Sequence, residues 1–338
     1  MANVLIIRLS LFGDVAMLVP VAYSIAKTFP EDNFYVLTNR SYQTLFQLDA
    51  PNLIPIGIST SEYKGVGGLF RLAEDLKKYN LDKIVDVHDV FRTRFLQFYF
   101  RLSGKEVVCI DKGRKERSDV ISHKVQLKPL RHTMDRYRDT LAEVGYKADN
   151  KFSNYTKHSI SSISLPKEFS VSPDTKNIGI APFAKHETKT YPLEKMKKVI
   201  TSLIKEQDMK IYLFGGKDDA VIIDKLQSID KNVISVAGKL TLQQELLLMS
   251  QLKVIVSMDS ANMHLASLVN TPIVSVWGAT HPMLGYYGFR QQKDLAVQID
   301  LNCRPCSASG NKPCWRSDLA CLNLLDPEMI VSKVNDFL

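Results

Sequence analysis

Short apolar runs alternating with helix-length segments constrain this chain more than any other feature. In the first half the runs are Val4 to Ile7, Phe34 to Leu37, Lys83 to Val87 and Val107 to Ile110. Their β-branched, nearly continuous apolar character suits strands buried on both faces, as in parallel sheets covered by helices. Between them, Leu69 to Tyr79 carries apolar residues at 69, 70, 72, 73 and 76, a helical period. Beyond residue 176 the alternation resumes, with strands predicted over 177–181, 210–214, 233–235, 254–257 and 273–277. Helices are predicted over 192–207, 220–229, 242–250 and 261–269. The pattern predicts an α/β protein built from two doubly wound parallel-sheet halves.

A chain of 338 residues exceeds the size at which one core keeps growing, so two domains are expected. The Ser- and Pro-rich stretch KHSISSISLPKEFSVSPDTK, residues 157–176, lacks helical periodicity and marks the linker region. The expected domains are 1–160 and 177–325, with a linker at about 161–176. Residues 326–338 are expected to form a helix that packs back on the first domain. With 45% apolar and 24% charged residues the chain has a soluble, globular composition. No apolar run approaches the ~20 residues of a membrane span. The first residues also lack the order of a signal peptide, so a cytoplasmic location is expected.

Between Arg92 and Arg138 there are 13 Lys or Arg against 5 Asp or Glu, a surplus equal to the whole net charge of +8. Such a stretch attracts phosphates, nucleic acid or anionic lipid headgroups, or is simply solvated. It carries no nucleic-acid-binding motif, and nucleic acid is not expected as a partner.

Four stretches are candidates for chemistry. In RLSLFGDVAMLVP, Gly13 and Asp14 follow the first strand, and Pro20 suits the first turn of a helix, which places Asp14 in a loop at the carboxyl edge of the sheet. Asp14 there either caps the helix or faces a ligand. In APFAKHETKTYP, Lys185 and Lys189 precede a helix whose amino terminus would favour phosphate. In FGGKDDA, Gly215 and Gly216 permit close backbone approach, and Asp219 could accept from a ribose or only cap. The most distinctive stretch is VSMDSANMHLASLVNTPIVSVWGAT, where Asp259 and Ser260 end a strand and Ala261, Asn262, Met263 and His264 open a helix. The N–H groups of that turn favour an anion. Neither half carries a G-x-G-x-x-G fingerprint, which argues against a nicotinamide dehydrogenase. No D-x-D pair occurs, so a metal-bound donor of that style is not suggested. Four cysteines, Cys303, Cys306, Cys314 and Cys321, form a C-x2-C-x7-C-x6-C run, for which a structural zinc or unligated thiols are the two readings. Cys109 is expected in the core.

The combination of GDV-x-x-x-x-P, a Lys loop at 185–192, and D-S-x-x-x-H followed by P-x-V-x-x-W-G-x-T resembles glycosyltransferase family 9, the ADP-heptose:lipopolysaccharide heptosyltransferases. The likeness spans nearly the whole chain, in order. It implies a GT-B architecture, two Rossmann-like doubly wound domains facing a cleft, with the acceptor on the first domain and the nucleotide sugar on the second. It implies inverting, metal-independent transfer of a heptose or related sugar to a lipopolysaccharide core or other lipid-linked glycan, at the inner face of the membrane and with no cofactor required. Asp14 matches the family's general base, Lys189 the lysine before the aromatic-Pro pair, and Asp259 and His264 the acid and histidine of D-[ST]-G-x-x-H. Two positions depart from the pattern: Ala261 stands for the usual Gly, and Thr188-Lys189 for an Asp-Lys pair. Gly13, Arg92, Arg94, Arg131 and Arg136 are then candidates for an anionic acceptor, since arginine meets carboxylate and phosphate bidentately. The alternatives are a nucleotide-sugar epimerase of similar fold and a non-catalytic protein that binds anionic glycan through residues 92–138.

Overall fold

The computed structural model describes all residues from Met1 to Leu338. The chain forms two compact units, one of Met1–Gly113 with Arg131–Ser162 and the other of Arg114–Leu130 with Ile163–Leu338.

In chain order the elements begin β1 (Asn3–Ile7), α1 (Phe12–Thr28), β2 (Asn33–Asn39), β3 (Leu53–Ile58), α2 (Gly65–Lys77), β4 (Lys83–Asp86), α3 (Phe91–Leu102) and β5 (Glu106–Cys109). Then come α4 (Arg114–Ile121) and α5 (Thr133–Ala142). The five strands form one sheet in the order β3-β2-β1-β4-β5, and every pairing is parallel. Val4 to Ile7 in the central strand are fully buried, as their unbroken apolar run requires. β3 was not anticipated, because Pro55 and Gly57 interrupt its run. The strand survives at the sheet edge, where a missing N–H forfeits no outer ladder bond.

Helix α1 differs from the sequence expectation. It starts at Phe12, so Pro20 lies inside it and Asp14 stands in its first turn, not in a loop. An interior proline costs about 3 kcal/mol. The helix buries Val15 through Ala26 without a break, and several fully buried apolar side chains at ~1.5–3 kcal/mol each outweigh that cost. The hydroxyl of Ser24 donates to the Pro20 carbonyl at 2.6 Å.

The second unit contains β6 (Lys176–Ala181), α6 (Leu193–Leu203), β7 (Met209–Leu213), α7 (Ala220–Gln227), β8 (Val233–Ser235), α8 (Leu242–Met249), β9 (Val254–Met258), α9 (Ala261–Leu268), β10 (Ile273–Val276), β11 (Ala296–Val297) and α10 (Pro327–Asn335). Its sheet runs β11-β10-β9-β6-β7-β8, again wholly parallel. The core is aliphatic, with Ile178, Ile180, Val254 and Val256 from the central strands. Helix α10, expected from the sequence on the first domain, packs in this unit against α6 and buries Ile330, Val331 and Val334 in the same core. The expected first domain also loses residues 114–130 to this unit. The Arg117 guanidinium stacks 4.3 Å from the Tyr286 ring while its Nε donates to the Leu284 carbonyl. Leu130 N–H donates to the Met283 carbonyl at 2.8 Å.

Both sheets are doubly wound, and in each the chain reverses direction beside the first strand, between β1 and β4 and between β6 and β9. In such sheets ligands bind beyond the carboxyl ends of the strands at that reversal. No helix is long and apolar enough to cross a membrane.

Candidate active-site residues

At the reversal of the first sheet, Arg8 leaves β1 and His88 follows β4. Arg8 is 6% exposed and its Nη2 pairs with Asp14 Oδ2, while Nη1 donates to the Val87 carbonyl at 2.6 Å. Leu11 N–H also donates to Asp14 Oδ2, at 3.4 Å, and the Tyr137 hydroxyl to the Asp14 carbonyl, at 3.2 Å. Three separate elements thus hold the start of α1. With its side chain 20% exposed, the Asp14 carboxylate stays within reach of a ligand. Asp86, fully buried at the end of β4, accepts from the N–H groups of His88 and Asp89 at 2.8 and 3.0 Å and fixes the loop that follows. His88 Nε2 lies 3.2 Å from Ser10 Oγ, and its Nδ1 is buried without a partner. Burial, with Arg8 and Lys112 nearby, pushes the His88 pKa down to about 3, so the ring is neutral.

At the reversal of the second sheet, the loop after β6 carries Lys189 and the end of β9 carries Asp259. Lys189 Nζ lies 3.2 Å from Asp259 Oδ2, both side chains being nearly buried. The Thr280 hydroxyl donates to the same oxygen at 2.7 Å. Helix α9 opens immediately after, at Ser260, with no side chain capping its first N–H groups. Those groups of Ala261, Asn262 and Met263, the positive helix end and Lys189 together suit a bound diphosphate.

Residues far along the chain fix this arrangement. The Thr188 hydroxyl donates to the Gly310 carbonyl at 2.6 Å, and Ala279 N–H to the Thr188 carbonyl at 3.0 Å. Gly310 has φ +79°, and a Cβ there would stand 2.5 Å from Lys189 Cγ. The buried Arg304 guanidinium donates to the carbonyls of Gly278, Thr280 and Ile299 and to Gln298 Oε1, which pins the loop bearing Thr280.

Residues 69–314 match the family described as Glycosyltransferase family 9 (heptosyltransferase). The chain belongs to glycosyltransferase family 9. A relative named lipopolysaccharide heptosyltransferase 1, from Campylobacter coli, is 21% identical over 292 residues, which cover 82% of this chain and 84% of the relative. Among solved structures, the glycosyltransferase family 9 protein of Veillonella parvula aligns with a TM-score of 0.75 at 16% identity, over 99% of this chain and 97% of that one. The Escherichia coli heptosyltransferase WaaC with ADP gives 0.69 at 18% identity, over 99% and 100%. These structures establish the GT-B type of fold, two Rossmann-like parallel-sheet units.

The other residues singled out in this family 9 chain lie as follows. Gly13 and Asp14 are in the first turn of α1. Lys185 is exposed, four residues before Lys189. Gly215 makes room for Ile223, whose Cδ1 would stand 2.3 Å from an added Cβ. Asp219 Oδ2 accepts from Gly216 N–H at 3.0 Å, the capping alternative. His264 is buried in α9. Of the four acceptor arginines, each is engaged locally. Arg92 donates to the Tyr63 carbonyl at 2.6 Å, Arg94 pairs with Asp89 at 2.7 Å, and Arg131 makes a two-pronged contact with Asp139. Arg136 is buried against Gly113 and donates to the Asp111 carbonyl at 3.2 Å. Arg8 was missed by sequence reasoning, although a cation two residues before Ser10 at a strand end was a readable signal.

The four clustered cysteines do not assemble as expected for zinc. No group of three or more His, Cys, Asp or Glu side chains is placed to hold a metal ion. Cys321 is spent in the aliphatic core, where burial pushes its thiol up to about 11, and burial raises Cys306 as well. All five cysteines are free. Cys109 is half-buried and accepts from Gln97 Nε2 at 3.3 Å.

Proposed function

We propose that the protein is an inverting transferase that moves a heptose or related sugar from a nucleotide diphosphate, ADP-heptose first, to a lipopolysaccharide core or another lipid-linked glycan. The observation that carries this reading is the near-buried Lys189–Asp259 pair beside the uncapped start of α9. Lys189 and the N–H groups of residues 261–263 neutralise the departing diphosphate, the electrostatic work that a metal performs in other transferases. Asp259 holds Lys189 through Oδ2, and its other oxygen accepts from a donor hydroxyl. Asp14 takes the proton of the attacking acceptor hydroxyl through Oδ1, while Arg8 holds the other oxygen. The bond from acceptor oxygen to the anomeric carbon forms as the bond to the diphosphate breaks, with the proton on Asp14. The neutral imidazole of His88 is available to bind a second acceptor hydroxyl.

The basic stretch supports an anionic acceptor, and association with the inner face of the membrane follows from a lipid-linked one. A thermal-shift series with ADP-, UDP- and GDP-sugars tests the donor. A ligand at a hundred times its Kd stabilises by about 2.7 kcal/mol, a readable rise in Tm. ADP-heptose is expected to raise the Tm most, and a rise produced only by UDP- or GDP-sugars would replace the proposed donor.

A further inference from the structure

Helix α3 carries an outer face that neither the core nor the sugar chemistry uses. Its inner face, Thr93, Leu96, Gln97 and Phe100, is buried. At 100° per residue the opposite ridge is Phe91, Phe98 and Leu102. These side chains are 79%, 62% and 74% exposed. The ridge continues sideways onto α2, where the half-exposed Phe70 packs edge-on against Phe95 with ring centroids 4.9 Å apart. Three large apolar side chains on one exposed helix face are costly in water unless something covers them.

Charge names the cover. From Phe91 to Lys105 the sequence has four cations, Arg92, Arg94, Arg101 and Lys105, and no acid. By the same spacing Arg94 and Arg101 stand together along one side of the apolar ridge. The acids nearby are already spent: Asp89 on Arg94, Glu74 on Lys77 at 2.9 Å, and Glu106 on Lys83 at 3.3 Å. The exposed face therefore offers apolar side chains and hydrogen-bond donors, with no exposed side-chain acceptor between Phe91 and Leu102 other than aromatic rings. A protein partner needs a directional pattern of donors and acceptors, whereas an aromatic ridge bordered by long cationic side chains needs only a fluid apolar layer under anionic headgroups.

We propose that the outer face of α3 docks the protein on an anionic lipid bilayer, with Phe91, Phe98 and Leu102 inserted among the acyl chains and Arg101 and Lys105 at the headgroups. This rests on the lipid-linked acceptor proposed above and names the surface that meets the lipid. Vesicle binding is measured without sugar transfer, so either proposal can fail alone.

The test is co-flotation of the full chain with vesicles of phosphatidylglycerol and phosphatidylethanolamine, and with vesicles of phosphatidylcholine alone. The expected result is binding to the first, at least tenfold weaker binding to the second, and loss at 0.5 M salt. Phe91→Ser with Phe98→Ser, and separately Arg101→Glu with Lys105→Glu, are each expected to lower partitioning at least tenfold with unchanged Tm. If the serine pair lowers the Tm, Leu102→Ser alone serves in its place. Absence of binding by the unaltered chain, or binding that survives both variant pairs, would overturn the proposal. So would sedimentation showing that the unaltered chain self-associates and that the serine pair makes it monomeric, since the ridge would then be a contact between copies.

Discussion

Lys189 Nζ stands 3.2 Å from Asp259 Oδ2, and the two residues are carried by loops that leave neighbouring strands, β6 and β9, at the point where the sheet reverses its winding. A near-buried ion pair of this kind is a weak source of stability, because desolvating both groups offsets their attraction. Its value lies in holding a cation where an anionic ligand arrives.

Lys189→Met tests that division. The nucleotide-sugar Kd is expected to rise at least tenfold, the equivalent of ~1.4 kcal/mol, when measured by calorimetry. Stability is expected to fall by about 3 kcal/mol, because Asp259 is left without its partner charge. Adding Asp259→Asn is expected to restore most of the stability and none of the affinity. Recovery of affinity in the double variant would contradict the role given to Lys189.

Gly310 offers a second, geometric test. Gly310→Ala is strained by its φ of +79° and also drives a methyl into Lys189. Gly104 has nearly the same φ, +74°, with nothing within 4 Å of the added carbon. Both alanine variants are expected to lose about 1 kcal/mol of stability to backbone strain. Only Gly310→Ala is expected to weaken nucleotide-sugar binding as well. Equal affinity in the two variants would show that Lys189 does not depend on the Gly310 loop.

The pH dependence of stability carries a third expectation. Burial pushes the Glu245 carboxyl up to about 7 from its ordinary 4.5. A raised carboxyl value favours the folded state while the group is neutral. That contribution is complete below pH 4.5 and lost as the pH climbs through 7. Glu245→Gln keeps the neutral form at every pH, so the variant is expected to be more stable by about 2 kcal/mol at pH 8 and nearly unchanged at pH 4. Urea denaturation at the two pH values measures this, and a difference independent of pH would contradict it.

The central strands were legible because Val4 to Ile7 and Val254 to Val256 are apolar on both faces, a pattern that only a covered parallel sheet satisfies. Strand β3 was not, since Pro55 hides an edge strand, and β11 is only two residues long. The placement of Asp14 went wrong through Pro20, read as a helix start when burial along α1 holds it in the interior. The Lys loop and the D-S-x-x-x-H stretch were readable as short motifs. Their supports were not: Thr188 and Gly310 are 122 residues apart, and Arg304 acts on carbonyls 24 and 26 residues away. Nothing in the hydropathy of residues 114–130 indicates that Arg117 will sit on Tyr286.

The account depends most on Asp14 as the group that receives the acceptor proton. Asp14→Asn keeps the size of the side chain and removes its basicity. Turnover with a nucleotide-heptose donor and a lipopolysaccharide-core acceptor, measured beside the donor Kd in the same variant, is therefore the decisive measurement. The account predicts turnover lower by at least about 10²-fold with the donor Kd within about twofold of the unaltered protein. Turnover retained within a factor of about three would contradict it.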